Sequence, residues 1–192
     1  NSYAGHFLLI AKDQGYEIPG NLLRNWERAQ KRLAKAWDPR QNAAGFYSSR
    51  SNELSQAYRL YTLALAGKPE LSAMNRLRES AKLSPIAKWR LAAAYALAGQ
   101  KEIASKLINQ LPKSVDPYQE FSGSYGSALR DKAMILETLL LLDKADEAAT
   151  LMKAMSEDLS SGRWHSTQTT AYCLQAIGQF AEKFPPGKEL KF

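Results

Sequence analysis

Apolar positions recur along most of the chain at intervals of three and four, and the breaks between runs are short and polar. That spacing predicts helices rather than strands. The first helix is expected over about Ser2 to Gln14, ending at Gly15. The second opens after Pro19-Gly20-Asn21 and reaches Trp37, before Asp38-Pro39. A loop from Arg40 to Ser49 follows, and Ser51 or Asn52 is placed to cap a third helix that ends at Gly67. Pro69 and Pro85 can each open a helix, the first running to about Ala81 and the second to Gly99. A shorter helix spans about Lys101 to Gln110, and Pro112 to about Ser124 reads as irregular. Then come a very apolar helix to Leu142, another over about Ala145 to Leu159, and a last from Thr167 to about Lys183.

These make about nine helices, and they fall into a weak internal repeat. The stretch Ala57 to Lys68 ends one helix and starts the next, Ala92 to Lys101 does the same, and Leu139 to Lys144 echoes both. In each case a strongly apolar helix precedes a tight turn and a more amphipathic partner. Such an αα-hairpin cannot bury its apolar face alone and must stack on neighbours. The turn-to-turn spacing, from Gly67 to Gly99 to Asp143 to Gly178, is unequal, which argues against a tetratricopeptide array. Apolar helices alternating with amphipathic ones predict two layers. The fold expected is an all-α α/α toroid, or a toroid segment, built from repeated antiparallel helix hairpins.

Composition agrees with a packed helical domain: 45% of the 192 residues are hydrophobic and 23% charged, with Val115 the only valine. The formal charge of +7 is concentrated in part on Arg24, Arg28, Lys31, Arg32 and Lys35, which recur at helical spacing opposite an apolar stripe of Leu22, Trp26, Ala29, Leu33 and Ala36. With no aromatic platform or nucleic-acid motif beside them, these cations read as a solvated helix face, and no nucleic-acid partner is expected. No apolar run approaches the roughly 18 residues that would suggest a membrane span, so no membrane insertion is expected. The sequence starts without an initiator Met or a leader, which suggests an excised piece of something larger.

The densest chemistry lies in WHSTQTTAYCLQ, Trp164 to Gln175, which holds the single cysteine and one of two histidines. A nucleophilic Cys173 needs a base in reach or a field that lowers its pKa. His165 lies about two helical turns upstream and across a helix start. Cys173 itself falls between Tyr172 and Leu174, where burial would make it inert. The hydroxyls have a simpler use, with Ser166 or Thr167 as the N-cap of the closing helix. No metal ligand set is apparent around His6 or His165, no phosphate loop is present, and no cofactor is expected. Asp116, Glu120 and Asp131 stand near the long loop and read as solvated, and Glu53 reads as a first-turn residue favouring the helix dipole. Phe46, Tyr47, Tyr118, Phe121 and Tyr125 cluster in or beside the two longest loops. Phe46, Tyr47, Tyr118 and Phe121 are the candidates for surface contacts, against the alternative that they pin the loops down.

Three stretches together resemble one family: Tyr58 to Leu71 (YRLYTLALAGKPEL), Trp89 to Gln100 (WRLAAAYALAGQ) and Ser166 to Ala171 (STQTTA). They are similar to the thioester-domain region of bacterial α2-macroglobulins, and Tyr3 to Leu9 followed by Gly15 to Pro19 matches an earlier helix and turn of that domain. The resemblance covers nearly the whole chain. It implies that 1–187 is the C-terminal larger part of a thioester-type α/α toroid, with 188–192 leading into a following domain. It also implies a non-catalytic part of a large envelope-associated or periplasmic protease trap, whose partners are neighbouring domains and captured proteases. Family members that carry a thioester use Cys-x-Glu-Gln, but here Gln175 is the second residue after Cys173 and the third is Ala176. No thioester residue is therefore expected in this chain. Two other readings compete: a helical-repeat module that binds a peptide or protein in a groove, and a carbohydrate-active enzyme, which would need carboxylates converging on one mouth.

Overall fold

The computed structural model describes residues 2–38, 49–80, 83–120 and 126–185. Among these, the helices are α1 (Ser2–Asp13), α2 (Gly20–Ala36), α3 (Ser49–Leu65), α4 (Leu71–Arg78), α5 (Pro85–Leu97), α6 (Lys101–Ile108), α7 (Ala128–Leu141), α8 (Ala145–Leu159) and α9 (Thr167–Lys183). They form two compact units, Asn1–Asn109 and Gln110–Phe192. The chain is all-α, as its periodicity predicts. Residues 188–192 lie outside the described residues.

Each unit sorts its helices into an inner and an outer row. In the first, α1, α3 and α5 adjoin in that order, while α2 packs on both α1 and α3, α4 on both α3 and α5, and α6 on α5. In the second, α7 adjoins α9 and α8 packs on both. Two of the inner helices, α5 and α7, are buried around most of their circumference. Nearly every residue of α5 from Ile86 to Ala96 is buried, and so is nearly every residue of α7 from Leu129 to Leu140. The outer helices bury one stripe each, such as Ala73, Met74 and Leu77 on α4 or Ala148, Leu151 and Met155 on α8.

One turn joins every inner helix to the outer helix after it. Gly15, Gly67 and Gly99 sit at φ of 86°, 70° and 78°, and Asp143 takes the same left-handed place at 58°. In each case two amides close the Schellman pattern on the last helical turn. Gly67 N–H donates to Ala64 O and Lys68 N–H to Leu63 O, both at 2.9 Å. Asp143 and Lys144 donate to Leu140 and Leu139 at 3.2 and 3.0 Å. The repeat visible in the sequence is this helix stop. Gly178 does not belong to it, since it lies inside α9. The spacing becomes uneven where the segment between α6 and α7 turns back on itself: Glu120 N–H donates to Gly126 O at 2.8 Å and Ala128 N–H to Tyr118 O at 3.1 Å. That stretch reads as irregular in the sequence, yet Gln119 and Ser127 form an antiparallel bridge.

Three details differ from expectation. Helix α3 begins at Ser49, ahead of the expected caps Ser51 and Asn52. Helix α4 begins at Leu71, because Glu70 is the residue whose carbonyl accepts the first helical bond, from Met74 N–H at 3.0 Å; Pro69 stands outside. The buried stripe of α2 is rotated by one residue, to Leu23, Gln30 and Ala34, leaving Leu22 and Leu33 more than 40% exposed. A polar residue sits in that stripe because its oxygen accepts from both Ser2 Oγ and Arg59 Nε at 3.2 Å. The end of α2 is held the same way: Gln56 and Arg76 donate to the carbonyl of Ala34 at 3.0 and 2.8 Å, and Arg76 also to that of Lys35.

Two glycine substitutions separate these roles. A Cβ at Gly67 or Gly178 meets nothing within 4 Å, so only the backbone decides. Gly67→Ala is expected to destabilise by about 1 kcal/mol through its positive φ, and Gly178→Ala to stabilise by up to about 1 kcal/mol in mid-helix. At position 143 the expected order of stability is Gly at or above Asp, then Ala, since glycine relieves strain while the exposed Lys183 pair adds little. Urea midpoints measure all three.

Candidate functional site

Two buried polar clusters stand out, one in the inner row of each unit. In the first unit, α1 supplies His6, α3 supplies Tyr58 and Tyr61, and α5 supplies Arg90. The Arg90 guanidinium is fully buried and lies 4.2 Å from the centre of the Tyr61 ring and 5.5 Å from that of Tyr58. Such desolvated cation–aromatic contacts contribute roughly 2 kcal/mol. His6 meets both rings edge-on, at 5.8 and 5.3 Å between centroids, and its Nδ1 is 2.8 Å from the Tyr58 hydroxyl. Burial, and then the Arg90 charge, push the His6 pKa down to about 3, so the ring is neutral. Sequence reasoning missed this cluster. A signal was present: Arg90 lies between Trp89 and the apolar run Leu91 to Ala94, and a cation there needs an aromatic or anionic neighbour.

In the second unit the cluster lies at the N-terminal ends of α7 and α9. Ser127 caps α7 by accepting from Arg130 N–H at 3.1 Å, and Ser166 caps α9 by accepting from Thr169 N–H at 3.2 Å. Thr169 Oγ1 joins the two caps, 2.8 Å from Ser127 Oγ and 3.0 Å from Ser166 Oγ. Beside them Arg130 and Asp131 form a buried pair, with Nη2 at 3.0 Å from Oδ1. Tyr118, from the segment preceding α7, donates its hydroxyl to Asp131 Oδ2 at 2.6 Å. Burial opposes the Arg130 charge, but Asp131 and Tyr118 outweigh it and hold the guanidinium further above its usual range. Burial and the Asp131 carboxylate both raise Tyr118 well above an ordinary phenol.

The cysteine lies in the wall of this cluster. Cys173 is fully buried on α9 and its thiol points at the Leu129 carbonyl of α7, 3.7 Å away. Burial first, and then the Asp158 charge, push it up to about 12, against Lys132, so at neutral pH it is a protonated thiol. Its hydrogen bond goes to α7 and not to His165, which precedes the helix. Gln175 donates to Glu137 at 3.3 Å.

The remaining candidates are scattered. Phe46, Tyr47, Phe121 and Tyr125 lie outside the described residues, so Tyr118 alone of the loop aromatics can be placed. Asp131, which the sequence suggests is solvated, is 1% exposed because it is fixed by Arg130 and Tyr118, whereas Asp116 and Glu120 face solvent. Glu53 is also buried: it lies past the first turn of α3 and accepts from Ser84 N–H at 3.3 Å, so burial raises its pKa against that bond. Of the basic stripe on α2, Lys31 and Lys35 pair with Glu70 at 3.5 and 3.6 Å, while Arg24, Arg28 and Arg32 are exposed. Among the described residues no group of three His, Cys, Asp or Glu could hold a metal, and no helix is long and apolar enough to cross a membrane. What the two clusters can do is fix helices against one another.

Asp131→Asn leaves Arg130 buried beside a neutral group and is expected to destabilise the second unit by roughly 3–5 kcal/mol. Tyr118→Phe is expected to cost about 1–3 kcal/mol alone and much less on top of Asp131→Asn. A double-mutant cycle by urea unfolding reads both values; full additivity would contradict the coupling.

Comparison with known proteins places the arrangement. No family model matches the chain. By sequence it is 30% identical over 177 residues to α2-macroglobulin of Escherichia coli (strain K12), a match that takes in 87% of this chain and 10% of that protein. The native conformation of E. coli α2-macroglobulin superposes with a TM-score of 0.75 at 26% identity, over 94% of this chain and 12% of that one. The same protein activated by porcine elastase gives 0.71 at 26% identity, over 93% of this chain and 16% of that one. The chain thus spans about a tenth of the length of the relative it matches. Its paired inner and outer helices correspond to the toroid-like helical part of those structures. The chain is a homologue of one helical segment of bacterial α2-macroglobulin.

Proposed function

We propose that this chain is a non-catalytic helical part of a bacterial α2-macroglobulin-like protease inhibitor, in which it acts as scaffold. The observation that carries the reading is the match over more than nine-tenths of the chain to both the native and the elastase-activated E. coli protein. A segment that keeps one fold in both forms serves as a rigid part around which other domains rearrange. Within this reading, 1–187 is part of a thioester-type toroid and 188–192 leads onward. The partners are neighbouring domains and the captured protease, and the compartment is the periplasm or cell envelope.

The chain does not itself supply a thioester in this proposal. A thiol and a carboxamide must meet to form one, but Cys173 faces Leu129 and Gln175 faces Glu137. An enzyme reading finds no support in the carboxylates, because Asp131 is sealed in an ion pair while Asp116 and Glu120 lie on the surface.

The test uses porcine elastase with a small peptide substrate and with a large protein substrate. Added alone, the 192-residue chain is expected to leave both activities unchanged. The longer protein that contains it is expected to suppress cleavage of the large substrate while sparing the small one. Equal loss of both activities, or no effect of the longer protein, would overturn the proposal.

A further inference from the structure

We propose that His6 is an acid-released latch that holds α1 onto the inner row of the first unit. The inference is independent of the protease-trap reading.

Helix α1 is less deeply seated than α3 and α5, the other inner helices of its unit. Its only buried residues are Gly5 and His6, while Tyr3 and Phe7 are 43% and 66% exposed. At Gly5 the backbone lies against the Trp26 indole of α2 so closely that a Cβ would collide with the ring. At His6 the imidazole sits edge-on against both Tyr58 and Tyr61 of α3, which stack on each other. The two most deeply seated positions are therefore one small residue and one titratable ring, with Leu8, Leu9, Ile10 and Ala11 half-buried on the same helix. By contrast α5 buries ten residues and is held on every side.

The surroundings of His6 favour the neutral ring. Tyr58 and Tyr61 face it from α3 and Arg90 from α5, while α2 brings Trp26 against Gly5 and Gln30 against Ser2. Arg59, on α3, holds the same Gln30 oxygen. Arg90 and Arg59 are both cations. An imidazolium would be buried beside Arg90, with both ring nitrogens turned into donors.

The folded His6 value, about 3, lies below the ordinary 6.5, so the attached state binds the proton less well than the released state. The contribution of His6 to holding α1 is complete above about 6.5 and is lost as pH falls towards about 3. Each pH unit below about 6.5 multiplies the opening equilibrium of α1 by about ten, until α1 is mostly released.

Hydrogen exchange of the 192-residue chain tests this, between about pH 7.5 and about pH 4.5 to bracket the ordinary histidine value, with protection corrected for the intrinsic pH dependence. The expected result is a roughly tenfold loss of α1 protection per unit below about 6.5, with α3 and α5 unchanged. In His6→Gln, whose amide can still bond Tyr58 but does not titrate, α1 protection is expected to be independent of pH. A flat wild-type profile, the same loss in the variant, or loss of α1, α3 and α5 together would each overturn the latch. If the variant does not fold, the ring resonances of the two wild-type histidines decide, assigned with His165→Gln. His6 is expected to stay neutral until α1 opens, and titration near 6.5 with α1 still protected would overturn the proposal.

Discussion

A helix that is apolar around its whole circumference survives in water only if other helices surround it. Helices α5 and α7 impose that condition on this chain, and the architecture answers it. The inner helices α1, α3, α5 and α7 are each followed by a left-handed stop that returns the chain as an outer helix. Within each unit, α2, α4 and α8 pack on both of the inner helices that flank them. Ala92, Ala93 and Ala94 on α5 are fully buried and small enough to let neighbouring helices approach closely. The driving force is ordinary apolar burial, and the hairpin is the geometry that lets a single chain deliver it repeatedly.

Polar groups inside the inner rows are the exceptions that give each unit its specific register. Arg90 is accommodated by the faces of two tyrosines, and Asp131 by Arg130 and the Tyr118 hydroxyl. Buried charges of this kind contribute little net stability compared with a well-packed apolar substitute, yet they are costly to leave half-made. Arg90 therefore penalises slippage of α5 along α3, and Asp131 fixes the segment that carries Tyr118 to the start of α7. Thr169 does the same with neutral groups, tying the caps of α7 and α9 at one level.

The parts legible in the sequence were those set by local rules. Helix periodicity, the stops at Gly15, Gly67 and Gly99 and the Ser166 cap depend on residues within one turn and appear where the pattern placed them, whereas Gly178 proved to lie inside α9. The stop at Asp143 could be read from its echo of Gly67 and Gly99, although aspartate seldom takes that conformation. What could not be read depends on distant partners. The register of α2 is rotated because Gln30 finds Arg59 and Ser2, residues from two other helices. Asp131 and Glu53 look solvated by type and position, and become buried only because Tyr118 and Ser84 come back to them. His6 appeared isolated for the same reason: its companions, Tyr58, Tyr61 and Arg90, lie far along the chain. The motif stretches around Tyr58 and Trp89 marked the family while leaving unread the contacts their side chains make.

If the chain is scaffold, its one thiol must be sealed and its carboxamides unactivated. The most direct measurement is the intact mass of the native chain after exposure to iodoacetamide and to methylamine, compared with the same treatment in denaturant. The account predicts no mass change in the native protein, and a single thiol alkylated once it is unfolded. Alkylation of native Cys173 at the rate of a free thiol, or incorporation of methylamine, would contradict it.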